Sequence, residues 1–399
     1  MYPLYHRLND FISGIKAVNC HSHHEQDNFF VGLNLEKILR KSYVQWSGVE
    51  FDDDAESRAR YLEKVRYKSF FRSLQNALTR LYGFSEELSP DNWDTYSETI
   101  AKRHKDPAWQ ISILTDICRY ETTILDAYWE PGSKNVHPDV FNSTFRVDSL
   151  FFGYDKNVLD HDGNNAYRFY GAEYDNIDDY MDFVKKLIAE KIAAGSVCLK
   201  NAIPYDRNVK YKLVGKSEEN RVFQRSGYTQ EDVVNFQDYF FHEVCGVAAE
   251  LNVPVQCHTG MGCLDNTRAI NMLELIRQHP KTKFSLMHGS FPWCGDILAY
   301  LDLHPNVFVD ICWLPLLSPS VAENMLHGLI EVGTSDRVVW GCDTWTSEES
   351  FGARLALNDV LARVLKDKIK RGYFGLADSE IVAGNILRNN AHALFGRGD

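Results

Sequence analysis

Hydrophobic and polar positions follow two different spacings in the second half of the chain. Short runs of apolar residues, such as 253–258, alternate with longer stretches in which apolar residues recur every three or four positions. Short apolar runs are typical of strands buried on both faces, and the longer spacing is typical of amphipathic helices. The predicted strands here are 253–258, 284–288, 307–313 and 338–343, and the predicted helices are 229–251, 267–279, a segment starting near Pro292, 319–332, 348–371 and 378–395.

The first half of the chain predicts four more strands and one long helical stretch. Two of the strands are short apolar runs that end in polar residues, one begins with two β-branched residues, Thr122 and Thr123, and one, 143–147, contains Thr144 and Val147. Between the first and second strands the spacing is helical, so we predict a helical insertion over residues 26–119. Its many aromatic residues favour a lid that covers a site. The predicted strands are 17–23, 122–127, 143–147 and 196–200, and the predicted helices are 57–82, 91–104 and 176–194.

Eight strands separated mostly by helices predict an α/β protein with one domain over residues 1–399. A parallel sheet buried on both faces is the expected core, and a closed barrel of eight strands is its simplest form. An open, doubly wound sheet is the alternative, but no Gly-x-Gly-x-x-Gly or Walker loop follows any strand. We therefore predict a closed (β/α)8 barrel.

Polar residues stand at the carboxyl ends of these predicted strands. His21 and His23 lie two residues apart, so they share one face of an extended strand and can reach one metal ion. In a barrel all such strand ends meet at one rim, which carries the chemistry. Each residue alone has an ordinary explanation, as a hydrogen-bonded core histidine, a rim lysine or a helix cap, but together they predict a metal site. The residues that end the other strands are Lys200, His258, His288 and Asp343.

Charge and cysteine content indicate which partners and which cellular compartment to expect. The formal net charge is −12, and the densest basic stretch, 366–371, has the pattern of a solvated helix face, so a nucleic-acid partner is not expected. The nine cysteines include no Cys-x-x-Cys pair, which argues against a disulfide framework, and Cys20, Cys257 and Cys342 are expected in the core. No signal segment or long apolar run is visible, so we expect a cytoplasmic protein without a membrane partner. A homo-oligomer is compatible with the pattern, although no stretch establishes an interface.

With these residues in place, the sequence resembles the amidohydrolase superfamily, in particular its amidohydrolase 2 branch of TIM-barrel metal-dependent hydrolases and uronate isomerase-like proteins. The resemblance covers nearly the whole chain and rests on the strand-end histidines and Asp343. Residues 387–395 are also similar to the C-terminal Asn-Ala-x-x-Leu-Phe helix of the family, with Asn390 as its asparagine. Asn19 departs from the family, which often has aspartate there, and this departure is expected to change hydrogen bonding around the ligands more than metal binding.

The resemblance implies roles for the strand-end residues. His21, His23 and Asp343 would ligate a first metal, and His258 and His288 would ligate a second metal or contact the substrate. In binuclear members a carboxylated lysine bridges two metals, so Lys200 at the fourth strand favours two ions. Nitrogen and carboxylate ligands suit Zn²⁺, with Mn²⁺ or Fe²⁺ as alternatives.

The reaction that the resemblance implies is hydrolysis. A bound metal lowers the pKa of water by about 9 units, which corresponds to roughly 12 kcal/mol, and so generates hydroxide near neutral pH. Asp343 would hold that water and carry its proton to the leaving group, with His258 and His288 as further catalytic residues. The expected substrate is an amide, lactone or ester of a small, carboxylate-bearing molecule. Uronate isomerase-like or decarboxylase activity on a sugar acid is the alternative, and a barrel that binds without turnover is disfavoured by its intact ligands.

Four residues near the predicted strand ends are candidates for substrate contacts. The guanidinium of Arg207 would suit a substrate carboxylate. Packing would explain the two tryptophans equally well. His24 and Glu25, just past the histidine motif, have no assigned role. The four candidates are Tyr205, Arg207, Trp313 and Trp345.

Overall fold

Eight parallel strands pair in chain order, each with the next, in a computed structural model that describes residues 2–171, 174–215, 220–223, 227–264, 266–333 and 335–396. All residues of the first and third strands are buried, as expected for a sheet covered on both faces. The strands are β1 (Ala17–Ser22), β2 (Tyr120–Leu125), β3 (Phe141–Arg146), β4 (Ser196–Asn201), β5 (Val255–Cys257), β6 (Phe284–Leu286), β7 (Val307–Asp310) and β8 (Val338–Val339).

Backbone hydrogen bonds bring the first and last strands together. The Cys20 N–H donates to the Trp340 carbonyl at 3.0 Å, and the Asp343 N–H donates to the His21 carbonyl at 2.9 Å. A Cβ atom on Gly341 would lie 2.5 Å from the His21 nitrogen, so this seam requires glycine. The fold is therefore a nearly closed (β/α)8 TIM barrel, which confirms the predicted fold class.

Helices surround the barrel and follow most of the strands. They are α1 (Tyr2–Gly14), α2 (Asp27–Phe30), α3 (Leu35–Lys41), α4 (Ala55–Val65), α5 (Ser69–Tyr82), α6 (Trp93–Arg103), α7 (Trp109–Ser112), α8 (Ala166–Tyr170), α9 (Ile177–Ala193), α10 (Gln230–Glu250), α11 (Leu273–Gln278), α12 (Gly295–Leu303), α13 (Leu314–Leu317), α14 (Pro319–Val332), α15 (Ser347–Lys370), α16 (Leu376–Gly384) and α17 (Asn390–Phe395). None of the described helices is both long enough and apolar enough to cross a membrane.

Several predicted boundaries differ from those observed. The single helix predicted over 57–82 is two helices, α4 and α5, because Lys68 has an extended backbone conformation. Both helices bury their apolar faces in the same cluster, so the hydrophobic spacing continues across the break. The predicted helix 378–395 is divided by a π-helical turn, Asn385–Asn389, and α1 was not predicted.

The segment between β1 and β2 consists of helices and turns that pack on the barrel. Residues 24–119 contain no strand, as predicted. Two carboxylates of α15 anchor this segment: Glu349 accepts the Tyr43 N–H at 2.7 Å, and Glu348 accepts the Tyr82 hydroxyl at 2.6 Å. That residues 26–119 are an insertion and a lid stays a prediction.

Candidate metal centre

Three ligand-type side chains converge where β1 and β8 end. Asp343 Oδ1 lies 3.5 Å from His21 Nε2 and 3.1 Å from His23 Nε2. One ligand atom of each residue lies within 4.8 Å of those of the other two. The side chains of His21 and Asp343 are almost fully buried, and that of His23 is 12% exposed. These three residues are therefore a candidate metal centre.

The spacing of the three residues fits a metal ion. Two ligand atoms about 2.1 Å from one ion, at a tetrahedral angle, lie about 3.4 Å apart. His23 Nδ1 lies 2.8 Å from the Asp126 carbonyl, which can only accept, so this nitrogen donates its proton and leaves Nε2 with a free lone pair. The buried His21 Nδ1 has no hydrogen-bond partner among the described residues. The donor set and its orientation thus suit a bound cation.

Two further histidines extend the centre toward β5 and β6. His288 Nδ1 lies 3.7 Å from Asp343 Oδ2, and His288 Nε2 lies 3.0 Å from His258 Nδ1. His258 in turn bonds the Met261 carbonyl through Nε2. Cys312, which the sequence did not single out as a ligand, forms a second ligand-type group with His288 and Asp343. Oδ1 of Asp343 therefore faces His21 and His23, and Oδ2 faces His288.

Lys200 enters the same site from the end of β4. Its side chain is buried, and Nζ lies 2.7 Å from the Met287 sulfur. No ion pair joins Lys200 to a carboxylate among the residues that the structure describes. The charge of Lys200 acts on the buried carboxylate of Asp310, but no described carboxylate contacts the amine directly, so this position favours a further group on or beside the amine.

The surroundings favour the protonation states that metals bind at His21, His288 and Asp343, but not at His23. Burial opposes protonation of His23, but its hydrogen bond with Asp343 outweighs burial and raises the pKa of His23. Burial, and then the charge of Lys200, lowers the pKa of His21 well below its ordinary value. Burial also lowers the pKa of His288 to about 4. Burial opposes ionisation of Asp343, but the hydrogen bond with His23 and the charges of the histidines outweigh it and hold the pKa of Asp343 well below its usual range. Neutral imidazoles and an ionised carboxylate are the metal-binding forms.

All six predicted metal-site residues line one cavity of about 200 Å³. Of the predicted substrate contacts, Tyr205 and Trp345 also line it. The cavity has room for a small molecule and has aromatic walls on several sides. The lining residues are His21, His23, Tyr43, Trp46, Tyr128, Arg146, His161, Asp162, Lys200, Ala202, Tyr205, His258, His288, Asp343 and Trp345.

Arg207 and Trp313 do not line the cavity, contrary to the prediction. Arg207 Nη2 is 2.6 Å from Asp238 Oδ1 on α10, and both side chains are buried. Trp313 is buried behind the cavity, where its ring stacks on Phe70. Nearness in sequence to a strand end did not determine which way these side chains point. The prediction of a substrate carboxylate therefore loses the arginine on which it rested.

His24 and Glu25 face the helical segment rather than the cavity. His24 Nε2 bonds the Gln110 side chain, and burial lowers the pKa of His24 to about 4. Glu25 pairs with Lys41 at 2.6 Å. Both residues therefore tie β1 to the helices that follow it.

Sequence reasoning missed the polar residues at the ends of β2 and β3. Asp126 directly follows β2, and Arg146 is the last residue of β3. Both are buried and bonded to each other at 3.2 Å. The rule that found the other strand-end residues would have found these two. The sequence gives no comparable signal for Tyr43 and Trp46, which reach the cavity from the helical segment.

Several residues at the rim of the barrel have unfavourable backbone conformations. Three non-glycine residues that follow strands have left-handed backbone angles: His288 (φ 62), Trp313 (φ 65) and Asp343 (φ 58). Such angles are unfavourable and concentrate at functional sites. Asn19 contacts Cys342 through both side-chain atoms, at 2.8 and 3.0 Å, so it positions the residue before Asp343 and does not itself join the ligands.

A TIM barrel that gathers two histidines and an aspartate at its carboxyl-terminal rim has the ligand arrangement of a metal-dependent barrel enzyme. Comparison with known proteins indicates a family within this class: residues 208–397 match the family model described as Amidohydrolase. The matched region contains His258, His288 and Asp343. The second half of the chain is therefore similar to the amidohydrolase family.

One sequence relative and two solved structures are also similar to this chain. Protein fluG from Emericella nidulans is 29% identical over 150 residues, which are 36% of this chain and only 17% of that protein. The uronate isomerase of Thermotoga maritima has a TM-score of 0.79 at 16% identity, over 98% of this chain and 97% of its own. A proposed metal-dependent hydrolase from Lactobacillus casei ATCC 334 has a TM-score of 0.70 at 14% identity, over 98% and 97% of the two chains. At these identities the two structures show a shared fold.

Proposed function

We propose that this protein is a metal-dependent hydrolase that cleaves an amide, lactone or ester bond of a small molecule with a metal-activated water. The observation that carries the proposal is that His21, His23 and Asp343 lie within ligand distance of one another and line a small cavity. Zn²⁺ suits this donor set, and Mn²⁺ and Fe²⁺ are alternatives.

The two oxygens of Asp343 support different roles. Oδ1 faces the two ligand histidines, and Oδ2 faces His288 at 3.7 Å. His21, His23 and Asp343 Oδ1 would hold the metal, which when bound would supply hydroxide at neutral pH and polarise the substrate carbonyl. Asp343 takes the proton of the attacking water at Oδ2 and delivers it to the leaving group.

Lys200 is proposed to carry a carbamate that joins a second metal. The amine is buried in the cavity wall, and among the described residues its hydrogen-bond partner is the Met287 sulfur. A carbamate would place an anion beside His258 and His288, which would then be ligands of the second ion. We further propose a single cytoplasmic domain in which residues 26–119 act as a lid, and association into a homo-oligomer stays a prediction.

An isomerase or decarboxylase acting on a sugar acid is the second candidate. It is favoured by the direct contact between His258 and His288, whose ring nitrogens lie 3.0 Å apart. Two imidazoles bonded to each other fit a site with one metal and an unmodified Lys200. In that case Asp343 would move a proton between substrate carbons and would activate no water.

A substrate panel on the zinc-loaded protein tests the two candidates. We expect turnover of at least one amide, lactone or ester and none of uronic acids. Asp343→Asn should abolish turnover, whereas His327→Gln, on the outer helix α14, should leave it unchanged. Turnover of a uronic acid alone would replace the first candidate by the second.

A further inference from the structure

Asp126 contacts the two histidines of β1 through both its backbone and its side chain. Its N–H donates to the Ser22 carbonyl at 2.8 Å, and its own carbonyl accepts the proton of His23 Nδ1 at 2.8 Å. Its carboxylate oxygen Oδ2 lies 3.9 Å from His21 Nε2 and 3.9 Å from His23 Nδ1. One residue at the end of β2 therefore contacts the segment 21–23 through three of its groups.

Asp126 lies beside the candidate ligand atoms without joining them. Among the described residues, it belongs to neither of the two ligand-type groups, which share Asp343 as their carboxylate. The side chain of Asp126 is 1% exposed, so solvent and salt screen its charge only weakly. A carboxylate in this position can hold the histidines and attract a cation that they bind, although it does not coordinate the cation itself.

Pairing with Arg146 does not fully compensate the charge of Asp126. Asp126 Oδ2 lies 3.2 Å from Arg146 Nη1, but the same guanidinium also contacts Asp148 at 2.8 Å and Asp162 at 3.3 Å. Three carboxylates therefore share one guanidinium. The other oxygen of Asp126, Oδ1, is buried and has no hydrogen-bond partner among the described residues. A buried carboxylate that is only partly compensated is unfavourable, and a cation at the neighbouring histidines would supply positive charge.

Carboxylates that lie behind metal-binding histidines strengthen metal binding in two ways. They fix the tautomer and orientation of the imidazole, and they make it a stronger ligand, so their removal usually lowers metal affinity about 10- to 100-fold. Their negative charge also attracts the divalent cation directly. Both effects apply to Asp126, because its carboxylate lies 3.9 Å from a nitrogen of each histidine.

We infer that Asp126 is a positioning residue of the metal centre, whose carboxylate holds His21 and His23 toward the ion and strengthens the binding of a divalent cation by about 10- to 100-fold. The inference rests on the metal centre of the proposed function, but on no step of the proposed reaction.

Zinc affinity tests this inference without any turnover. The chelator-treated full chain is titrated with Zn²⁺ against a chromophoric chelator, and the dissociation constant of each bound ion is measured. Asp126→Asn keeps the size and shape of the side chain and removes its charge. We expect the dissociation constant of one zinc ion to rise by about 10- to 100-fold in this variant.

Asp162→Asn is the matched control. It also removes a carboxylate that contacts Arg146, but in the described part of the chain Asp162 contacts neither His21 nor His23. Its zinc affinity should equal that of the unaltered protein. Thermal unfolding of the metal-free proteins checks that both variants fold. If Asp126→Asn does not fold, Asp126→Glu takes its place, because the added methylene moves the carboxylate relative to the histidines and should also weaken zinc binding.

The visible absorption of the cobalt-loaded protein separates positioning of the ligands from a general effect on stability. The absorption bands of protein-bound Co²⁺ depend on the arrangement of the ligands around the ion. We expect the bands to change in wavelength or intensity in the Asp126 variant, and to be the same in Asp162→Asn and the unaltered protein.

Unchanged zinc affinity in the Asp126 variant, an equal loss of affinity in Asp162→Asn, or an unchanged cobalt spectrum would overturn the inference. If the Asp126 variant loses affinity as expected but the unaltered protein cleaves no amide, lactone or ester, the hydrolase proposal fails and the role of Asp126 stands. If hydrolysis is found and the Asp126 variant binds zinc normally, the inference alone fails.

Discussion

Replacing Glu349 by glutamine should change how the stability of the protein depends on pH. Glu349 is 4% exposed, and its two oxygens accept the N–H groups of Tyr43 at 2.7 Å and Trp345 at 3.4 Å. It thereby links the helical segment to the cavity rim. Glutamine keeps the shape of the side chain but cannot ionise.

The expected size follows from the shifted pKa. Burial raises the pKa of Glu349 from 4.5 to about 8. The folded state therefore holds this proton more tightly than the unfolded state, so the contribution of Glu349 to stability is full below pH 4.5 and is lost as pH rises to about 8. At about 1.4 kcal/mol per pKa unit, the loss has an upper bound of about 5 kcal/mol.

Urea unfolding followed by tryptophan fluorescence measures this effect in chelator-treated protein. Between pH 5 and pH 9 the free energy of unfolding should fall by a few kcal/mol more in the unaltered protein than in Glu349→Gln. At pH 5 the variant should be less stable by about 1 kcal/mol, because glutamine can accept only one of the two N–H groups. If the free energy of unfolding changed with pH in the same way in both proteins, the raised pKa of Glu349 would be refuted.

Three further changes test other parts of the structure. Lys200→Met should lower bound zinc from about two equivalents to one, measured by elemental analysis; two retained equivalents would argue against a lysine-bridged pair. Arg207→Met should lower the free energy of unfolding by about 3 kcal/mol, because the buried Asp238 carboxylate loses its counter-ion and keeps the Lys212 N–H as a donor. The variant should leave the affinity for 4-carboxybutanamide, an amide that ends in a carboxylate, unchanged; a loss of that affinity would return Arg207 to the cavity. Gly341→Ala should destabilise the β1–β8 seam by about 1–3 kcal/mol in urea unfolding, since the added methyl meets the His21 backbone; full stability would show that the seam can relax.

Most of the barrel could be predicted from the sequence, because the spacing of apolar residues within each segment determines whether it forms a strand or a helix. Strands such as β4 and β7 are short apolar runs, and parallel strands must present their carboxyl ends at one rim. This rule brought Lys200, His258 and Asp343 to one cavity without any knowledge of their contacts. The same rule, applied to β2 and β3, would also have found Asp126 and Arg146.

Side-chain direction after a strand could not be predicted in the same way. Tyr205 and Arg207 lie two residues apart beyond β4, yet one lines the cavity and the other pairs with Asp238 on α10. The backbone there turns through a short 3-10 helix, Ile203–Tyr205, so alternation along a strand no longer applies. The break between α4 and α5 could not be predicted either. Both helices pack their apolar residues in one cluster, so the helical spacing of apolar residues continues across the break.

Metal content tests the account most directly. Protein loaded with zinc and dialysed is analysed for bound metal, beside His23→Gln and the control His327→Gln. We predict about two equivalents in the unaltered protein and the control, and one equivalent or fewer in His23→Gln. No bound metal in the unaltered protein, or equal metal in all three, would contradict the assignment of His21, His23 and Asp343 as the ligands of a metal centre.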